Sequence, residues 1–288
     1  MSVLMPDSGL ALGRVSDLYR RNLAALGPQD VIIASHGGSG QSLIGNILYE
    51  LGLNYVDAYT EVLHADGRAV AADAHSAYRT HFASLHDKDT GGEARPARLW
   101  PRLVKTHHVP VVFSEATFGG VWLLVRDPRD AIYASYHWRS RFGEEPWDQV
   151  PDTFEAWLSG PGDFSRSPAD DWAAFYTAWA GAFPQADVLR FEDLKQRPVE
   201  VVTDIVRRLG VEVGEADVTR AVDASSFTRM REHEERAAGS RPGGGRMVRE
   251  GKTDGWKGWM NPDLAGYFTS VELRTTAREY GYDLPESP

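Results

Sequence analysis

The chain has no cysteine. That excludes a disulfide scaffold, a zinc-thiolate centre and a cysteine nucleophile. It has no apolar run near the ~18 residues that a bilayer span needs, and no internal repeat or low-complexity linker. Its first residues, MSVLMPDSGLALGRVSDLYRR, lack a basic start followed by an apolar block, so they do not read as a secretory leader. A soluble, cytoplasmic protein with no membrane partner is the expectation. Positive charge is also in deficit. Against 41 Asp and Glu stand 31 Lys and Arg, a net charge of −10. Such a chain is a poor partner for nucleic acid, whose binding rests on phosphate neutralisation.

What is present is an ordinary globular balance, 42% hydrophobic and 25% charged over 288 residues, enough to bury a core unaided. Residues 10–26 carry a helical stripe of Leu12, Val15, Leu18, Tyr19, Leu23 and Leu26, stopped by Gly27 and Pro28. DVIIAS at 30–35 reads as a buried strand, followed by a Gly-rich turn and a helix that ends near Gly52. A helix is expected around 68–85 and a loop over 87–98. Further strands are expected at 102–107, 120–126 and 187–191. Helices are expected at 127–142, within 151–183, at 198–209 and 214–223, and at 262–280. The 234–255 stretch has a Gly/Pro cluster and no period, so it reads as a long loop, either functional or disordered, and as a functional loop 234–252 would be a lid that orders on nucleotide binding. Strands alternating with helices predict an α/β fold. The expected form is a single domain over 1–288 with a nucleotide-binding core at 30–260, its central parallel sheet of four to five strands flanked by helices.

The few cations cluster. Between Arg102 and Arg141 six Lys/Arg face three acids, and between Arg236 and Lys257 six face two. Two cationic segments in an acidic chain point to a focused anion site. The turn Ser35–Ser42 (SHGGSGQS) fits that role, because backbone N–H groups between a strand and a helix face an anion. It is neither a Walker loop, since Gly40-Gln41-Ser42 lacks the lysine, nor a hydrolase elbow, since Gln41 stands where the second glycine belongs. A nucleotide kinase or phosphate-binding module is disfavoured by that missing lysine and by the lack of a Mg²⁺-binding strand aspartate.

Four further segments stand in order: LVKTHHVP at 103–110, LLVRDPRDAIYASYHW at 123–138, LRFEDLKQRP at 189–198 and VREGKTDGWKGW at 248–259. With the turn at 35–42 they resemble the cytosolic-type sulfotransferases, which use 3′-phosphoadenosine 5′-phosphosulfate (PAPS). The resemblance runs from about residue 30 to 260. It implies that Ser39, Gly40, Gln41 and Ser42 form a P-loop-like turn that holds the 5′-phosphosulfate. It implies that Arg126, with Arg249 and Gly251 of the late segment, binds the 3′-phosphate, a task suited to the planar guanidinium fork. Ser135, Phe191, Ser225 and Phe227 fall at cofactor-contacting positions. His107 matches the general base, and Lys105 beside it would stabilise charge in transit. Sulfuryl transfer needs positioning, cationic stabilisation and a base, and the resemblance calls for no metal. Transfer to a hydroxyl, or to an amine, of a small-molecule acceptor is implied, with a bacterial biosynthetic role compatible with the composition. A homodimer stays open, although the family's short dimerisation motif is not visible after Lys257.

Three positions depart from the family pattern. Gly38 stands where a lysine or arginine normally meets the 5′-phosphate; Lys105, Arg102 or a protonated His36 would have to replace it. Ala134 stands where the family has a serine, with Ser135 next to it about 100° round the helix. Glu250 replaces a lysine. A second reading therefore stays open, in which the fold has lost PAPS-dependent transfer and performs another reaction or only binds a ligand.

Overall fold

The computed structural model describes residues 4–72, 98–142, 150–237, 248 and 251–286. Strands β1 (Asp30–Ala34), β2 (Asn54–Asp57), β5 (Arg102–Thr106), β6 (Gly120–Val125) and β7 (Asp187–Arg190) form one sheet in the order β2-β5-β1-β6-β7. All its pairings are parallel. A separate antiparallel pair joins β3 (Glu61–Leu63) to β4 (Ala69–Ala71). The sheet strands are apolar and β-branched because both faces are covered. Ile32, Val104 and Leu123 point into one core, while Ile33, Leu103, Trp122 and Leu124 point into the other.

The first helix expected at 10–26 is two. Asp7 caps α1 (Ser8–Gly13), and Ser16 caps α2 (Asp17–Leu23) by accepting the Tyr19 N–H. A serine–aspartate pair inside an apolar stripe starts a new helix rather than extending the old one. After the turn comes α3 (Gln41–Glu50), then α4 (Pro128–Phe142), α5 (Phe154–Leu158) and α6 (Pro168–Ala182). Trp172, Phe175, Tyr176 and Trp179 of α6 are wholly buried, so they build core. Next are α7 (Phe191–Gln196), α8 (Pro198–Arg208), α9 (Glu215–Ala224) and α10 (Phe227–Ala237). The expected loop from 234 thus begins as helix, and residues 238–247, 249 and 250 lie outside the described residues.

The helix expected at 262–280 breaks as well, into α11 (Pro262–Ala265), a 3-10 turn at Gly266–Phe268 and α12 (Val271–Glu279). Ser270 caps α12 and donates to Asp170 on α6, which fixes the break. The helix expected around 68–85 is contradicted at its start, where Ala69–Ala71 pair as β4; the rest of that span and all but Arg98 of the 87–98 loop lie outside the described residues. Strand β2 was not legible, because its buried polar ends disguise it. Asn54 donates to the Gly67 and Leu99 carbonyls, and Asp57 pairs with Lys105. Among the described residues no helix is long and apolar enough to cross a membrane.

Candidate active site

Strand order reverses at β1, so a crevice opens beyond the carboxyl ends of the strands, where open α/β sheets place ligands. A cavity of about 720 Å³ occupies it. It is lined by the Gly-rich turn after β1, Asp57 and Tyr59 after β2, Lys105 and His107 at β5, Arg126 after β6 and Phe191 after β7. Of the residues expected at the site, Gly40, Gln41, Ser42, Lys105, His107, Arg126, Ser135, Phe191, Ser225, Phe227 and Gly251 all line this one cavity. Arg249 lies outside the described residues.

Two turn residues are oriented differently from the expectation. Ser39 is fully buried, and its hydroxyl meets the Tyr176 hydroxyl at 3.2 Å, so it braces the turn from beneath. The Gln41 side chain also turns inward, donating to the Ile33 carbonyl and accepting from Tyr55. The Ser39 N–H is engaged as well, donating to the His36 carbonyl at 3.2 Å, so of these two positions only Gln41 brings backbone to the cavity. Gly40 has φ +105°, and a Cβ there would sit 2.4 Å from the Phe191 ring. Gly251 has φ +59° and lies equally close under Phe227. Bare backbone at these points lets two aromatic rings close over the turn and the late segment.

Gly38 explains the missing family cation. Its φ is +83°, and a Cβ would lie 2.1 Å from the Ala131 carbonyl oxygen of α4. The turn packs directly on the helix, and no side chain fits. Gly38→Lys therefore does not restore a phosphate cation. It lowers the unfolding free energy by at least about 3 kcal/mol, through αL strain and the clash. A urea midpoint equal to that of the parent protein would contradict this packing. Ser135 lies on the same contact, its hydroxyl 2.9 Å from where a Gly37 Cβ would be.

Two of the replacements expected for that cation fail. Arg102 lies at the far end of β5, wholly buried in an ion pair with Asp30 at 2.6 Å. Four residues at about 3.3 Å rise put it roughly 13 Å below Thr106. Burial pushes the His36 imidazole down to about 4, so it is uncharged at neutral pH. Lys105 does reach the cavity, with its ammonium 2.9 Å from Asp57.

Arg126 lines the cavity and bridges two backbone segments. One Nη donates to the Gly38 carbonyl at 2.9 Å and the other to the Lys252 carbonyl at 3.2 Å. The guanidinium stacks on Phe191 at 4.4 Å, and its Nε is buried without a hydrogen-bond partner among the described residues. Burial lowers its pKa, opposed by Asp130 first among nearby acids. Asp130 also accepts the Gly255 and Trp256 N–H groups, tying the late segment to α4. Lys195 of α7 lines the same end of the cavity; its pKa is lowered by burial and then by the Arg126 charge. The sequence reading missed Asp57, Asp130 and Lys195. Asp130 and Lys195 stand in the visible RDPRD and FEDLK segments and Asp57 ends β2, but their partners, Gly255 and Trp256, Arg126 and Lys105, lie far from them in sequence or are set only by the fold.

His107 sits against the turn. Its Nδ1 is 2.7 Å from the Ser35 carbonyl, which can only accept, so Nδ1 carries the proton and Nε2 the lone pair. Its backbone N–H donates to the Tyr59 hydroxyl at 2.8 Å. Burial first, and then the Lys105 charge, push its pKa down to about 3. Ser225 accepts from Asn46 at 2.9 Å, which leaves its own proton to donate.

The crystal structure of a mouse sulfotransferase complexed with PAP superposes with a TM-score of 0.62 at 16% identity, covering 92% of this chain and 91% of that one. Retinol dehydratase in a complex with retinol and PAP gives 0.55 at 15% identity, over 96% and 88%. The same enzyme with androsterone and inactive cofactor PAP gives 0.56 at 16%, over 97% and 88%. A search of curated proteins by sequence finds no match. The family model for the sulfotransferase domain matches residues 28–277, most of the chain. With that match over the five-stranded parallel core and its Gly-rich turn, the chain belongs to the sulfotransferase domain family.

Proposed function

We propose that this protein transfers a sulfuryl group from PAPS to a hydroxyl of a small-molecule acceptor, with His107 as the general base. The observation that carries the reading is that Arg126 and His107 line one cavity and each meets a carbonyl of the same turn, Gly38 and Ser35 respectively. The residues fit the nucleotide. Arg126 keeps an orphaned, buried Nε, and Gly40 and Gly251 let the Phe191 and Phe227 rings lie directly on bare backbone at the turn and the late segment. Phe191 and Phe227 offer faces for a purine, and Arg126 with Lys195 offers charge for the 3′-phosphate.

When bound, PAPS supplies a sulfuryl group whose bond to the 5′-phosphate oxygen breaks as the bond to the acceptor oxygen forms, the electron pair leaving with the phosphate. His107 takes the acceptor proton on Nε2, because Nδ1 is committed to Ser35. Lys105, aimed by Asp57, places positive charge beside it. The turn's backbone N–H groups face the departing phosphate, in place of the cation that Gly38 has no room to carry. The test is incubation with radiolabelled PAPS and a panel of phenols and aliphatic alcohols. Label transferred to an acceptor supports the reading; nucleotide binding with no transfer across the panel counts against it.

In the ligand-free protein His107 stays neutral when titrated by NMR to below about pH 5, because its folded pKa lies under the usual 6.5. The sign for stability follows. The unfolded chain takes up this proton first, so stability is full above 6.5 and is lost as pH falls toward 3. A His107 midpoint near 6.5 would remove the buried, neutral base.

A second reading is favoured by Gly38. A turn without its cation suits a reaction in which phosphate departure is not limiting, and a neighbour of this fold bound to PAP bears the name retinol dehydratase. Acceptor consumed without sulfated product would favour it.

A further inference from the structure

Two histidines of the cavity share one arrangement, and the transfer chemistry uses only the first. His107 hangs from the Ser35 carbonyl by its Nδ1. His36, the residue after Ser35, has its Nδ1 3.0 Å from the Gly37 carbonyl. A carbonyl only accepts, so in His36 too the proton sits on Nδ1. Burial keeps this ring uncharged at neutral pH, which leaves a lone pair on Nε2. Both rings line the cavity. Among the described residues neither Nε2 has a hydrogen-bond partner.

The His36 ring is held in place. Its backbone N–H donates to the Tyr176 hydroxyl at 3.3 Å, and Phe175 meets the ring edge-to-face at 6.4 Å between centroids. Gly37, whose carbonyl holds Nδ1, packs on Ser135 of α4, where a Cβ would come within 2.9 Å of the hydroxyl. Asp163 is near enough for its charge to raise the pKa of the ring, yet its carboxylate bonds Arg139 and Arg14 and not the imidazole. The two histidines are neighbours. Their anchoring carbonyls are two residues apart, at most about 7 Å along the chain, and a charge on His36 lowers the pKa of His107. A ligand that displaces water from a neutral acceptor, and brings no donor to it, loses affinity.

We infer that His36 is a specificity residue and that the acceptor is a diol: one hydroxyl gives its proton to His107 in the transfer, and a second, a few atoms away, donates a hydrogen bond to His36 Nε2. This rests on reading the cavity as a sulfuryl-transfer site. A molecule with an ether in place of the second hydroxyl sets an oxygen lone pair against the nitrogen lone pair and is selected against.

The experiment is binding to the PAP-loaded protein of catechol, resorcinol and cyclohexane-1,2-diol, each against its own monomethyl ether. At least one diol binds roughly fivefold or more tightly than its ether, the size expected when a buried acceptor goes unmet. His36→Phe keeps a flat ring against Phe175 and removes Nε2, and it brings that ratio close to one. His36→Gln, which keeps an acceptor oxygen, retains part of it. A role confined to bracing the turn would change the affinities of diol and ether alike and leave their ratio untouched. An unchanged ratio in His36→Phe, ethers that bind as well as the diols in all three pairs, or no binding by any of the six, overturns the inference. Failure of PAP itself to bind overturns the transfer reading instead, and the comparison of diol with ether is then read on the unliganded protein.

Discussion

Replacing His107 with alanine lowers kcat by roughly 10²–10⁴-fold, the contribution expected of a positioned general base, and leaves the affinity for adenosine 3′,5′-bisphosphate (PAP) unchanged. The argument rests on tautomer and place. The Ser35 carbonyl fixes the proton on Nδ1, so the lone pair at Nε2 is present at every pH above the depressed pKa. Removing the ring also orphans the Ser35 carbonyl, at a cost of about 1–3 kcal/mol. His107→Asn separates the two effects. Its amide N–H₂ can meet Ser35 as Nδ1 does, yet it offers no basic nitrogen. Single-turnover rates of both variants decide. A kcat within a few fold of the parent in either one removes His107 as the base.

Arg126→Ala costs roughly 10²-fold or more in affinity for PAP and far less for adenosine 5′-monophosphate. Charge-assisted hydrogen bonds are worth about 1.5–3 kcal/mol each, and the guanidinium fork presents a pair of them to a phosphate. Arg126 also clamps the turn to the late segment through the Gly38 and Lys252 carbonyls. Its loss loosens the whole nucleotide end somewhat, which accounts for the smaller effect on the monophosphate. The difference between the two ligands isolates the 3′-phosphate. Equal losses for both would mean that Arg126 serves the fold and not that phosphate.

Much of the site was legible because its signals are local. A strand, a glycine cluster and a helix follow one another within 30–50, and Arg126 stands at the end of an apolar strand, so each could be placed from its own neighbourhood. What stayed hidden depends on distant partners. Nothing near Asn54 shows that its amide is satisfied by Gly67 and Leu99 within a sheet strand. Gly38 looked like a defect in the turn, and only the approach of Ala131 from α4 makes it a requirement. Ser39 looked like a ligand donor until Tyr176 came to lie beneath it. Arg14, Arg139 and Asp163 are far apart in sequence, and no spacing rule joins them. The helix breaks at Ser16 and Ser270 were readable in principle, since both serines are N-caps, but continuous apolar stripes run across them.

The central claim is that a turn without its cation still serves a 3′-phosphorylated nucleotide. Calorimetric titration of the purified protein with PAP, set against adenosine 5′-monophosphate, tests it most directly. The account predicts saturable binding of PAP that is at least tenfold tighter than that of the monophosphate. Binding of neither nucleotide, or equal binding of both, would contradict it.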